Sequence, residues 1–326
     1  MKRTIVAAAL AALGLLLTTG GPRAQAPAFG IHPVRHVGVI VPDVDKAARE
    51  YADVLGIPVP QTREFTGVPF PDDYTGDRNA HPKVTTIQLA NMSIELLQPI
   101  GGKSPWRDHL DQFGPGLHHI AFGVPDVAQA VAQLQAAGGK YVLGKAGFQA
   151  AYVDLKPILG FTAELIQNPP AGAAPATPAA APVPANFGMG TFSHVGIFVS
   201  DVEKTAKVFS ELTGIPSPAA NEYKGMVFPA GFAGDKEAHP KIVSFKYGSI
   251  GLEFAQPIGG ASPWKEHLDR FGPSMHHLAL GIQGMQANID YLVKKGGRVT
   301  VGPGPGYAFV DLKPGPLGFS FELNGK

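Results

Sequence analysis

Two sets of four metal-binding side chains recur in this sequence with identical spacing. The first set is His36, Glu95, His119 and Glu164, and the second is His194, Glu253, His277 and Glu322. Both sets have intervals of 59, 24 and 45 residues. Imidazole and carboxylate ligands without sulfur suit a divalent first-row metal that keeps coordination positions open. The pattern therefore predicts two divalent metal centres, and it leaves the ion open among Zn, Ni, Co, Mn and Fe.

The prediction of metal binding rests mainly on the glutamates. Glu95 in SIELLQ and Glu164 in TAELIQ stand within apolar runs. A carboxylate is costly there unless it is paired or bound to a metal. A single histidine at the start of a strand is, by itself, more often a capped or core residue than a ligand. The recurrence of all four residues at one spacing favours metal binding over that alternative.

Each set contains one member of a histidine pair, in GLHHIAF and in SMHHLAL. We assign the second histidine, His119 or His277, as the ligand because it aligns with the lone His36 or His194 of the sister segment. Neighbouring side chains on a strand point to opposite faces. We therefore expect the first histidine of each pair to face away from the metal.

The elements that must position these ligands follow a βαβββ pattern that occurs four times. In the first module, a strand is predicted from Arg35 to Val41, followed by a helix that is capped by Asp43 and ends at Gly56. Further strands are predicted near Thr62–Thr66, Lys83–Ala90 and Met92–Gln98. The segments HVGVIVPDVDKA and HIAFGVPDVAQA begin the first and second modules.

The two halves of the chain are copies whose numbering differs by 158. QPIGGKSPW returns as QPIGGASPW, and AHPKV returns as AHPKI. Residues 169–186 hold six prolines, eight alanines and no charged residue, which is typical of an extended linker. We therefore expect one domain over 30–168 and a second over 187–326. Repetition of so long a unit predicts two separately folded domains, which can also pair within the chain.

The first 26 residues are typical of a secretory signal peptide. Lys2 and Arg3 precede an apolar run from Ile5 to Leu17, and AQA at 24–26 is a small-residue cleavage signal. The run is too short to span a bilayer. We therefore expect cleavage after residue 26 and an exported, periplasmic protein without a membrane segment.

Charge and cysteine content limit the partners and the chemistry. Removal of the signal peptide lowers the formal net charge from +1 to −2, and the sequence has no basic run to bind nucleic acid. The chain has no cysteine. This excludes disulfides, thiolate catalysis, thiolate metal ligands and a lipid anchor on an N-terminal cysteine.

The motifs HVGVIV, IELLQP, GLHHIAF and GFTAELIQ resemble the vicinal oxygen chelate superfamily of glyoxalases, bleomycin-resistance proteins and extradiol dioxygenases. The resemblance covers both halves, and GLHHIAF is most similar to the methylmalonyl-CoA epimerase branch. It implies an α+β fold of tandem glyoxalase-like domains. Each domain would consist of two paired βαβββ modules that form an open eight-stranded half-barrel around one metal, held by the four ligands given above.

The sequence departs from the epimerase branch at two positions in each half. Epimerases usually carry Gln where this chain has Glu95 and Glu253, so its ligand set is closer to that of bacterial glyoxalase I. The additional catalytic carboxylate of the epimerases falls at Thr86 and Ser244, which are not bases. The resemblance thus implies the fold and the class of mechanism but leaves the substrate open.

A metal with open positions can bind two adjacent oxygens of a small-molecule substrate and stabilise an enolate. The sequence therefore favours an isomerase, epimerase or lyase that abstracts a proton α to a carbonyl, with Glu164 and Glu322 moving the proton. One alternative is a non-haem iron dioxygenase, against which the fourth ligand counts. The other is a non-catalytic binding protein of the bleomycin-resistance kind, whose members usually lose the ligands.

A segment rich in Pro, Phe and Gly precedes AHPK in both halves. It is long for a connection between strands. One interpretation is a loop that closes over the metal face and brings His81 and Lys83, or His239 and Lys241, near the substrate. The other is a shared turn retained from the duplication, and the residues leave both open.

Overall fold

The computed structural model describes residues 29–145, 147–169, 189–248, 250–313 and 317–325. The predicted signal peptide, and all of the predicted linker except its first residue, lie outside the described residues. No helix in the described part of the chain is both long enough and apolar enough to cross a membrane.

The first half contains eight strands and four helices in its described residues. The strands are β1 (Val34–Ile40), β2 (Arg63–Glu64), β3 (His81–Gln88), β4 (Ser93–Ile100), β5 (Gly116–Val124), β6 (Lys140–Leu143), β7 (Ala150–Asp154) and β8 (Thr162–Gln167). The helices are α1 (Val44–Leu55), α2 (Pro105–Phe113), α3 (Val127–Ala136) and α4 (Lys156–Leu159).

The second half repeats this order in the residues described. Its strands are β9 (Met189–Phe198), β10 (Asn221–Glu222), β11 (His239–Tyr247), β12 (Ile250–Ile258), β13 (Ser274–Ile282), β14 (Arg298–Gly304), β15 (Tyr307–Asp311) and β16 (Ser320–Gly325). Its helices are α5 (Val202–Thr213), α6 (Pro263–Phe271) and α7 (Met285–Lys294).

Helix α1 begins and ends where its sequence predicts. The Asp43 carboxylate accepts a hydrogen bond from the backbone N–H of Lys46, which satisfies one of the free donors of the first turn. The helix ends at Gly56, which has a φ of 67° that favours glycine. Its apolar positions are buried against the sheet, so the helix covers the face opposite to the metal ligands.

Each half folds into one eight-stranded sheet, and the α+β fold with tandem half-barrels is confirmed. The strand orders are β2-β3-β4-β1-β5-β8-β7-β6 and β10-β11-β12-β9-β13-β16-β15-β14. Strands β1 and β5 pair antiparallel at the centre of the first sheet, and each pairs parallel with the last strand of its own module. The four strands that carry the predicted ligands are therefore adjacent.

The two halves pack against each other through buried apolar side chains. Phe122 of the first half meets Tyr247 of the second edge to face, with ring centroids 5.6 Å apart. The Tyr51 hydroxyl donates a hydrogen bond of 2.6 Å to the carbonyl of Leu317. One cluster of buried apolar residues extends through both halves. The domain boundaries remain a prediction, but a cut between 168 and 187 would separate halves that share a core.

Candidate metal centres

The sheet register of the first half brings its four predicted ligands to one point. Strand β1 carries His36, and its Gly38 lies directly between Glu95 of β4 and His119 of β5. Glu164 of β8 lies beside Ala121 of β5, two residues further along the strand. The ligand atoms of the four side chains all lie within 4.8 Å of one another.

Gly38 is a functional residue that the sequence analysis missed. A Cβ atom at this position would lie 1.8 Å from Cε1 of His119, so the imidazole occupies the space that any other side chain would need. Gly196 has the same relationship to His277, with the same 1.8 Å distance. The signal was present in HVGV and HVGI, where a glycine follows each lone histidine by two residues.

The donor atoms in the first half are close enough to share one ion. Glu164 Oε2 lies 2.8 Å from His36 Nε2 and 3.3 Å from His119 Nε2. Glu95 Oε2 lies 3.5 Å from His36 Nε2. The two imidazole Nε2 atoms are 3.1 Å apart. Two histidines and two carboxylates thus point into one small volume.

The second half repeats this arrangement with slightly different distances. Glu322 Oε2 lies 2.9 Å from His194 Nε2 and 3.0 Å from His277 Nε2. Glu253 Oε2 is 3.7 Å from His194 Nε2 and accepts a 3.2 Å hydrogen bond from the Ser244 hydroxyl. The structure therefore brings together all eight predicted ligands, four in each half.

The residues present fit a divalent cation. Buried Glu164 Oε2 has no hydrogen bond of suitable geometry within the described chain, although His36 Nε2 is 2.8 Å away. A lone pair on the oxygen and one on the nitrogen would both be satisfied by a cation between them. Nitrogen and oxygen donors without sulfur also match the preferences of first-row divalent metals.

The charges of these groups depend on each other. Burial lowers the pKa of His119, but the close carboxylates of Glu164 and Glu95 outweigh this effect and raise it to about 9. Burial raises the pKa of Glu164, but its neighbours His36 and His119 outweigh this effect and hold it well below its usual range. The metal-free centre therefore holds protons on imidazole that a bound metal would displace.

In the second centre the pKa values of the two carboxyl groups shift in opposite directions. Burial lowers the pKa of His194, but the charges of Glu253 and Glu322 raise it to about 9. Burial raises the pKa of Glu253, in contrast to Glu322, whose pKa is held well below its usual range despite burial by its histidine neighbours.

The expected orientation of the first histidine in each pair is wrong. The partner register moves from Gly38↔His119 to Val39↔Leu117, so His118 is an extra residue in a β-bulge. The bulge interrupts alternation and leaves both imidazoles against the Tyr152 ring, at centroid distances of 6.4 and 5.2 Å. The same shift occurs in β13, where the extra residue is His276.

Each bulged histidine contacts a predicted ligand and belongs to a row of buried polar side chains. His118 Nδ1 lies 3.1 Å from His119 Nδ1, and the His118 ring meets His109 of α2 edge to face at 4.9 Å. His109 Nδ1 is 3.4 Å from Lys156 Nζ. Sequence reasoning did not find His109 or Lys156, although SPWRDHL and SPWKEHL repeat the histidine in both halves.

The two centres differ in the aromatic residue that lies beside the glutamate of the last strand. Tyr152 of β7 is 4% exposed and lies beside Glu164 in the sheet, with its ring 5.2 Å from His119. Phe309 lies beside Glu322 in the second half, with its ring 5.1 Å from His277. Burial, and then the charges of Glu164 and Glu95, raise the pKa of Tyr152 well above 10. A neutral phenol that can donate a hydrogen bond therefore lines the first centre, whereas the side chain beside Glu322 is the phenyl ring of Phe309.

The AHPK residues do not reach the metal centres. Along β3, Thr86 lies beside Glu95, and alternation places His81 and Lys83 on the opposite face. His81 lies 3.4 Å from Glu64, and Lys83 pairs with Asp45 of α1. The same contacts recur in the second half, where His239 meets Glu222 and Lys241 meets Glu203. The structure therefore does not support these four residues as substrate contacts.

The comparisons with known proteins agree with this site. Residues 35–153 and 193–310 match the model of the glyoxalase/bleomycin resistance protein/dioxygenase superfamily. An ethylmalonyl-CoA/methylmalonyl-CoA epimerase of Cereibacter sphaeroides is 32% identical over 143 residues, which cover 41% of this chain and 96% of that protein. The mitochondrial methylmalonyl-CoA epimerase of Mus musculus is 31% identical over 152 residues, which cover 41% of this chain and 79% of that protein.

A solved structure extends the similarity across both halves. A mutant of 4-hydroxymandelate synthase from Streptomyces coelicolor has a TM-score of 0.58 at 17% identity, covering 92% of this chain and 93% of that one. At this identity the likeness shows a shared tandem fold. Because the family model matches a segment in each half, the chain belongs to the glyoxalase/bleomycin resistance protein/dioxygenase superfamily as a tandem of two such units.

Proposed function

We propose that this protein is a divalent-metal-dependent enzyme that moves a proton on the carbon next to a carbonyl group, as an isomerase, epimerase or lyase. The observation that carries the proposal is the convergence of two histidines and two glutamates within 4.8 Å in each half. A bleomycin-resistance type of binder does not need this set. The relatives with similar sequences include epimerases, in agreement with the proposal.

The ligand residues would hold the ion and leave room for a substrate with two adjacent oxygens. A divalent ion held there supplies Lewis acidity, which stabilises negative charge on the substrate oxygens. Glu164 and Glu322 are the carboxylates that we assign to proton transfer. Each carries negative charge at neutral pH because neighbouring histidines hold its pKa well below its usual range.

The first centre has an additional group for this reaction. Tyr152 is buried beside Glu164 and stays protonated across the physiological range. A buried phenol of this kind donates a hydrogen bond either to the carboxylate or to a substrate oxygen that gains charge. We therefore assign the better-equipped active site to the first half.

The substrate is not assigned to acyl-CoA esters. The position beside Glu95 is occupied by Thr86, and the position beside Glu253 by Ser244, so neither half has a carboxylate there as a second base. We also propose that the protein is exported, on the basis of residues 1–26. Mass spectrometry of the protein from its native host should find an N-terminus at Pro27, whereas an intact Met1 would restore cytosolic CoA esters as reasonable substrates.

The experiment combines metal analysis with proton exchange in D₂O. The full-length mature protein should hold close to two equivalents of one divalent metal. It should also introduce deuterium α to the carbonyl of a hydroxyketone or hemithioacetal, as followed by NMR. An acyl-CoA panel and a catechol with an oxygen electrode serve as the other arms. Oxygen uptake with catechol and no deuterium incorporation would identify a dioxygenase, and a protein without bound metal would contradict the proposal.

A further inference from the structure

A cavity of about 430 Å³ lies between the two halves, apart from the points where the ligand atoms converge. It is lined by the starts of β5 and β13, by α2 and α6, and by the residues that follow β7 and β15. Both halves contribute equivalent residues, and the rings of Phe113 and Phe271 meet across the boundary with centroids 6.1 Å apart. A volume of this size is sufficient for a small metabolite.

Two half-buried lysines, one from each half, bring positive charge into the cavity. Lys156 and Lys313 both line it. Among the described residues, neither ammonium group has a carboxylate oxygen within 4.0 Å. Each ammonium group instead contacts a histidine. Lys156 Nζ lies 3.4 Å from His109 Nδ1, and Lys313 Nζ lies 2.7 Å from His267 Nδ1. A cation withdrawn from water without an anion is unfavourable, so an anionic partner would stabilise both groups.

The other charged groups of the cavity do not supply that partner. Glu266 and Asp311 line it, together with Arg270 and Arg298. Asp311 Oδ2 is 4.0 Å from Arg298, and its Oδ1 accepts hydrogen bonds from the backbone N–H of Lys313 and the hydroxyl of Ser320. Four basic side chains therefore share the cavity with two acidic ones, and the balance is positive.

We propose that this cavity binds a small organic anion, with its carboxylate or phosphate group between Lys156 and Lys313 and its apolar part against Phe113 and Phe271. The ammonium groups donate to the anionic oxygens, which gives each lysine an anionic partner. Each lysine also lies over one of these rings, at 5.1 and 5.0 Å from the centroid, so charged and apolar surfaces adjoin.

The position of the cavity gives the anion access to both halves at once. His118 and His276 line it, and each lies 3.1 Å from a predicted metal ligand. An anion bound there would therefore contact residues beside both metal centres. This inference does not depend on the reaction proposed above, because it concerns a separate cavity with its own charges.

Titration calorimetry with the metal-loaded full-length protein tests the proposal. The probes are phenyl phosphate, benzoate and inorganic phosphate, and the variants are Lys156→Met and Lys313→Met. Lys207→Met is the matched control, because Lys207 is an exposed lysine of α5 that pairs with Glu211. We expect an aromatic anion to bind the wild type, with a dissociation constant raised roughly tenfold or more in either cavity variant and unchanged in the control.

The two organic probes distinguish a phosphate ester site from a carboxylate site by which one binds more tightly. Thermal unfolding without ligand checks the fold of the variants, and neither substitution should lower Tm, since each removes a cation that has no anionic partner among the described residues. Metal content is measured in every sample. The proposal is overturned if no probe binds the wild type, or if binding needs the metal but is insensitive to both lysine substitutions.

Discussion

His118 Nδ1 lies 3.1 Å from Nδ1 of His119, and the same distance separates His276 from His277. With Nε2 directed at the metal centre, the ligand's Nδ1–H can donate to its neighbour, which fixes the tautomer and the ring orientation. Each histidine pair is therefore one unit, consisting of a predicted ligand and the residue that would orient it.

Replacement of the ligand should empty one centre only. His119→Ala should lower the bound metal from two equivalents to one, and His277→Ala should do the same in the other half, because each centre has its own four residues. His118→Ala should retain the metal with an affinity lower by about ten- to a hundredfold. Metal analysis after dialysis at a series of chelator concentrations measures both effects. If His118→Ala removed the metal and His119→Ala kept it, the ligand assignment would be wrong.

Gly38→Ala should also release metal from the first half, because the added Cβ would occupy the position of the His119 ring. Gly281→Ala is the control: it is another strand glycine, but its Cβ would lie 3.8 Å from the nearest atom. Metal content and thermal unfolding should distinguish the two variants. Equal metal content in both would contradict the close approach of the ring to Gly38.

Tyr152→Phe gives the first centre the same aromatic residue that the second centre has at Phe309. We expect kcat to fall by roughly a hundredfold, as when one donor to a developing charge is removed, with unchanged metal content. The measurement should be made with His277→Ala in the background, so that only the first centre contributes. An unchanged kcat would remove Tyr152 from the proposed reaction without affecting the ligand assignment.

The stability of the metal-free protein should fall at alkaline pH. The pKa of His119 is raised from 6.5 to about 9 in the folded protein, so its stabilisation is complete below pH 6.5 and is lost as pH rises through about 9. His194 adds the same dependence. Glu164 has a lowered pKa, so its stabilisation is present above pH 4.5 and is lost only in strong acid.

Added metal should reverse the alkaline trend, because it displaces protons from the same histidines. The increase in Tm on metal addition should therefore grow from pH 6 to pH 9. Thermal scans of metal-free and metal-loaded samples across this range measure the difference. An increase in Tm that is independent of pH would show that the raised pKa of the histidines is incorrect.

Proteolysis within 170–186 should yield two fragments that stay together. The shared apolar cluster and the contact of Tyr51 with Leu317 hold the halves in place. Size-exclusion chromatography of the nicked protein should give one peak that contains both fragments, and denaturation should separate them. Fragments that elute apart and remain folded would support the independent domains expected from the repeat.

Sequence reasoning predicted the fold and the two groups of four converging side chains because their signals are local or repeated. Asp43 and Gly56 mark the ends of a helix, and buried glutamates in apolar strands indicate ligation. Four residues at constant spacing in two halves also constrain each other. These features need no knowledge of how distant segments meet.

The residues that sequence reasoning missed depend on register and on long-range packing. The bulge at His118 is defined by partners on β1, so alternation alone gives the wrong face. Lys156 reaches the same cavity as Lys313 only because the halves pack together. Tyr152 and Phe309 correspond at an offset of 157 rather than 158, so the constant offset of the repeat conceals their equivalence.

The bulge in β5 also sets the effect of a particular small mutation in this gene. An in-frame loss of the His118 codon would leave a chain that still carries all eight predicted ligands. The strand would regain a regular ladder in which Leu117 stays beside Val39 and His119 stays beside Gly38, so the four side chains of the first half could still converge. The deletion would remove the contact of His118 with His119 and the histidine that His118 adds to the cavity between the halves. A single missing triplet would thus keep the predicted metal site of the first half and disconnect it from that cavity, which gives selection a reason to retain the doublet in each copy after duplication.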